Sequence, residues 1–85
     1  MAAQITSTSN SQVKNVIALM KKSRTRAEQG LFVVEGIRMF QELPAPWIVQ
    51  VYISESFEAA GPTDEVDRVC TPVIVSDKVF AAMAD

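Results

Sequence analysis

Leu31-Phe32-Val33-Val34-Glu35-Gly36-Ile37-Arg38 is the stretch on which the fold turns. Four consecutive apolar residues stop at a carboxylate and a glycine. Such a run favours a strand buried on both faces, the habit of α/β sheets. Gly36 offers a permissive backbone for a sharp strand-to-helix turn. Ile37, Phe40 and Leu43 then recur at helical spacing until Pro44 and Pro46 stop the helix.

Downstream, residues 47–53 are rich in aromatic and β-branched side chains and predict a second strand. Residues 54–68 are acidic and broken by Gly61-Pro62, with a short helix on either side. Pro72-Val73-Ile74-Val75 predicts a third strand. Ser76 then caps a helix over residues 77–84, with Val79, Phe80 and Met83 facing inward. Upstream, Ser9 and Gln12 fit a capping box. Val13, Val16, Ile17 and Met20 follow at the spacing of one apolar helix face, predicting a helix over residues 10–22. Residues 1–8 read as a loose polar leader, and residues 23–29 as a polar connector, with or without a helical turn, ended by Gly30. The order is helix, then strand–helix three times, which implies a mostly parallel sheet between helices.

A length of 85 residues allows one compact domain at most, assigned to residues 9–85. Its 48% apolar and 21% charged content is ordinary globular usage. Zero His removes the usual general base and metal ligand. Three Gly leave no glycine-rich phosphate cradle, and one Cys excludes a disulfide framework or multi-Cys zinc site. No catalytic or metal residue is therefore assigned. No apolar run exceeds six residues, against the roughly 20 that span a bilayer. No secretory apolar segment opens the chain, so it reads as cytoplasmic with no membrane partner.

The net charge of −2 conceals an asymmetry. Residues 1–40 carry a surplus of four cations, and residues 41–85 a surplus of six anions. Between Asn10 and Arg26 stand Lys14, Lys21, Lys22, Arg24 and Arg26 with no anion among them. A one-sided block of this kind attracts phosphate even when the whole chain is acidic. The competing reading is a solvated helix end. No aromatic residue interleaves the block, so base stacking there has no support.

Asn10-x-x-Val13-Lys14, the cationic stretch to Arg26, Phe32-Val33-Val34-Glu35-Gly36-Ile37-Arg38 and Val75-Ser76-Asp77-Lys78-Val79-Phe80 form a recognisable set. Together they resemble the N-terminal substrate-binding domain of the SpoU (TrmH-like) family of RNA ribose 2′-O-methyltransferases, over residues 5–85. The resemblance implies an L30e-like three-layer α/β/α sandwich with a small, mostly parallel sheet after an N-terminal helix. In that family a knotted SPOUT domain follows, with the S-adenosylmethionine site and the catalytic motifs. Those motifs do not occur in these residues, so the resemblance assigns no catalytic or cofactor-binding residue here. It implies S-adenosylmethionine and homodimerisation for a longer parent protein, through the catalytic domain. It also implies one more strand beyond residue 85, whose absence would leave an unpaired edge on the strand at residues 72–75.

The implied role is recognition of structured RNA, rRNA or tRNA rather than DNA, for a 2′-O-methyltransferase, by a piece that is not itself catalytic. Lys14, Lys21, Lys22, Arg24 and Arg26 suit phosphate contacts. Arg38 matches the family's arginine after the Glu-Gly turn and suits either a phosphate or a brace to Glu35 or Glu42. The alternative is an L30e-like protein- or ribosome-interaction module without methyltransferase activity. Cys70 reads as a small packing residue, and Glu55, Glu58, Asp64, Glu65 and Asp67 as a solvated acidic face. Trp47, Tyr52 and Phe57 read as packing residues rather than a binding box.

Overall fold

A computed structural model describes residues 3–61 and 63–84. Helix α1 (Ser11–Lys21) starts where Asn10 Oδ1 accepts hydrogen bonds from the N–H groups of Gln12 and Val13, at 2.8 and 3.4 Å. The Ser9–Gln12 box does not form, because the Ser9 hydroxyl is engaged with that of Ser7 and Asn10 caps instead. The chain bends at Lys22 into α2 (Ser23–Gln29), so the connector takes the helical alternative along its whole length, and Gly30 ends it in the left-handed region at φ 66°. Gly36, at φ 91°, opens α3 (Ile37–Glu42). A 3₁₀ turn at Ala45–Trp47 follows.

Strand β1 (Tyr52–Ser54) leads through α4 (Glu55–Ala60) and α5 (Asp64–Asp67) to β2 (Val73–Val75), and α6 (Asp77–Ala84) follows. The two strands are parallel, with Tyr52 opposite Val73 and Ser54 opposite Val75. A helical crossover between parallel strands makes this an α/β fold. Ser76 Oγ accepts from the N–H of Val79, so α6 is capped as its sequence implies. Ser54 caps α4 in the same way through the N–H of Phe57.

Ile5, Val13, Val16, Val75, Val79 and Met83 form one cluster where α1 packs on α6, and Leu19, Ile53, Val66 and Ile74 are buried as well. Val13, Val75 and Val79 are fully buried. Ile5 corrects the expectation of a loose leader over residues 1–8, although Met1 and Ala2 lie outside the described residues. Gln4 and Ile5 donate their N–H groups to Ile74 O, and Ile5 O accepts from Ser76. An apolar side chain within a polar run suffices when the adjacent backbone has a strand to pair with. This segment covers the edge of β2 that the sequence left unpaired.

Three further expectations need correction. Residues 31–34 form no strand, the residue 47–53 strand shrinks to Tyr52–Ser54, and Phe80 is exposed rather than inward. The causes are linked. An extended run becomes a strand only with a partner ladder, and residues 32–35 make no backbone hydrogen bond among the described residues. Pro44 and Pro46 favour the 3₁₀ turn that takes Trp47 out of the second run. Residues 31–36 and 47–54 instead face each other across a groove of about 540 Å³, into which Phe80 and Met83 of α6 also project.

Candidate nucleic-acid interface

The cationic residues follow from the way α1 buries its apolar stripe. With Val13, Val16 and Leu19 turned inward, Lys14 and Lys21 fall one heptad apart on the same exposed flank. Seven residues of helix separate them by about 10 Å, comparable to the Debye length of about 8 Å at physiological salt. Lys22 and Arg24 extend the flank across the α1–α2 bend, and both are exposed. Asn15 and Gln29 exchange two side-chain hydrogen bonds, at 2.7 and 3.2 Å, which fix α2 against α1 and hold the cations in one place.

Arg26 behaves differently from its neighbours. Its Nη1 donates to Leu19 O at 2.8 Å and to Met20 O at 3.1 Å. It therefore satisfies carbonyls at the end of α1 and places a positive charge at the negative pole of that helix. Arg38 is exposed on α3, away in sequence from the α1–α2 flank. Neither Glu35 nor Glu42 braces it. Lys14, Lys21, Lys22, Arg24 and Arg38 have no hydrogen-bond or ion-pair partner among the described residues.

The acidic residues gather on the other half, around α4 and α5. Among the described residues, no group of three His, Cys, Asp or Glu could hold a metal ion. Asp77 is engaged structurally: the Ser56 side chain and then its N–H donate to the carboxylate, holding its pKa below the ordinary value. Burial pushes the Tyr52 phenol up, and its O–H donates to Gln12 Oε1 at 3.1 Å, linking β1 to the start of α1. Trp47 and Phe57, read as packing residues, are exposed beside the groove. Cys70 is free and half-buried. No described helix is long and apolar enough to cross a membrane.

An α/β domain with free cations on one helical flank has a surface that attracts polyanions. The family follows from a direct match: residues 10–85 fit the family of MRM3-like substrate binding domains, and the chain belongs to it. The match supports RNA-substrate binding in a methyltransferase-related family, and it is consistent with the resemblance to an N-terminal substrate-binding domain. No curated protein and no solved structure matches the chain.

Proposed function

We propose that residues 9–85 hold structured RNA, an rRNA or tRNA segment, for 2′-O-methylation by a SpoU-type catalytic domain in the cytoplasm. The observation that carries this reading is the unpaired cationic flank of α1 and α2 in a chain of this family. Lys14, Lys21, Lys22 and Arg24 would neutralise phosphates and release their counterions, which yields affinity and salt dependence without reading bases. Selectivity for RNA over DNA would come from the shape of the folded RNA and its 2′-hydroxyls. Arg38 would add a contact from α3, and Arg26 would act by keeping the α1–α2 bend in shape.

S-adenosylmethionine is left to the catalytic domain, because the described residues do not fit it. Gly30 and Gly36 serve helix ends, and the large groove is walled mainly by apolar side chains rather than converging polar groups. The domain's own contribution is to bind and orient RNA.

The test is a titration of the domain with a structured rRNA or tRNA fragment over a range of salt. Replacing Lys14, Lys21, Lys22 and Arg24 together by Gln should lower the slope of log affinity against log salt by about 0.7–0.9 per lost phosphate contact. Arg68→Gln and Lys78→Gln, among acidic neighbours, should change it less. Identical titrations for the quadruple variant and the parent would overturn the proposal in favour of a solvated helix end.

A further inference from the structure

Helix α2 buries none of its residues, although Thr25 and Arg26 are half-buried. Its seven residues are also too few for a helix to be stable by itself, which takes about 12–15. Polar contacts to α1, rather than core packing, therefore set its direction. Lys22, extended at φ −121° and ψ 112°, is the single residue between the two helices.

Two contacts close this bend. Near the turn, Arg26 Nη1 reaches back to Leu19 O and Met20 O. At the far end, Asn15 Nδ2 donates to Gln29 Oε1 at 3.2 Å, and Gln29 Nε2 donates to Asn15 Oδ1 at 2.7 Å. Each amide gives and accepts, so the pair fixes both a direction and a separation. Both residues are exposed, and a pair of this kind contributes little to core stability. What it fixes is where Lys22 and Arg24 stand relative to Lys14 and Lys21. It also fixes Glu28, the anion of α2.

We propose that Asn15 and Gln29 are positioning residues that make the cationic flank select folded RNA over flexible single strands. The proposal rests on the reading of that flank as an RNA surface. A folded RNA presents phosphates at fixed separations, so a cation array already in place binds it without being ordered first. With α2 unfastened, the matching arrangement is populated only part of the time, and the apparent affinity falls by that fraction. A single strand bends to meet the cations wherever they stand, so it loses little. Glu28, held in the last turn of α2, repels RNAs whose phosphates run on past Arg24, which narrows the accepted shapes further.

The test titrates the domain with an rRNA or tRNA hairpin and with an unstructured single strand of equal length, at one salt concentration. Asn15→Ala with Gln29→Ala removes the pair without changing any charge. The hairpin should bind about three- to tenfold more weakly, comparable to the net effect of one hydrogen bond. The single strand should change by less than about twofold. The urea midpoint should stay as in the parent, while the amides of α2 exchange faster. The exchanged pair, Asn15→Gln with Gln29→Asn, keeps two amides and the same total side-chain length, and should restore the preference for the hairpin.

Equal weakening for both RNAs would overturn the proposal, as would an alanine pair that binds the hairpin like the parent. So would an exchanged pair as weak as the alanine pair. The variant lacking Lys14, Lys21, Lys22 and Arg24 separates the two readings. If it binds the hairpin like the parent, the flank is no RNA surface and both readings fall. If it loses binding while the alanine pair keeps the full preference, the positioning role alone falls.

Discussion

The half of the molecule built from Ile5, α1, β1, β2 and α6 and the half spanning residues 31–51 have similar hydropathy and very different states. In the first, valines are buried to the point of having no exposed surface, and β2 is hydrogen-bonded on both edges. In the second, Phe32, Trp47 and Val49 stand open around a groove, and residues 32–35 have no ladder. Apolar content does not separate them. What separates them is whether each backbone edge finds a partner, because a strand without one has nothing to hold its side chains in a shared plane.

The largest test of this contrast is a buried charge. Val75→Asp places an unpaired carboxylate in the core and should abolish folding, since the total stability of a domain this size is about 5–10 kcal/mol. Val49→Asp, the same change on the open half, should stay within about 0.5 kcal/mol of the parent in urea melts. Comparable losses at both sites would mean that the groove is closed in solution.

A smaller effect tests how the closed half begins. Asn10→Ala removes the acceptor for two N–H groups at the start of α1 and should cost about 1 kcal/mol. Ser9→Ala should cost much less, because Ser9 bonds only within the Ser7 turn. Equal losses would restore the box suggested by the sequence.

The smallest expected effects are in pH. The folded state lowers the pKa of Asp77, so its contribution is present above the ordinary carboxylate range and lost as pH falls through the lowered value. Asp77→Asn should flatten that acid limb of the melting curve. Tyr52 is raised, so its contribution is present below pH 10.0 and lost as pH rises through the raised value. Tyr52→Phe should flatten the alkaline limb. An unchanged acid limb would mean that Ser56 does not hold Asp77 in solution, and an unchanged alkaline limb that the Tyr52 phenol is not buried there.

Of the candidate site, the cationic block was legible as soon as the charges were counted by position, and the heptad spacing of Lys14 and Lys21 placed them on one flank. The role of Arg26 was not legible as anything but another cation, because its partners are carbonyls six and seven residues back that become adjacent only when the chain bends at Lys22. The groove was invisible for a related reason. Its two walls lie about fifteen residues apart in the chain, and each alone reads as an ordinary strand.

Local chemistry by itself determined where helices start and stop. The apolar spacing of α1, the Ser76 cap of α6, the left-handed turn at Gly30 and the glycine opening of α3 all depend on residues within a turn of one another. Strands answer to distant partners, so only the tertiary structure decided which extended runs became them. Val73–Val75 gained β1 on one side and Gln4–Ile5 on the other, while residues 31–35, equally apolar, gained neither. Helical hydrogen bonds close within the segment that makes them; a ladder is satisfied only by backbone from elsewhere, and no property of residues 31–35 could supply it.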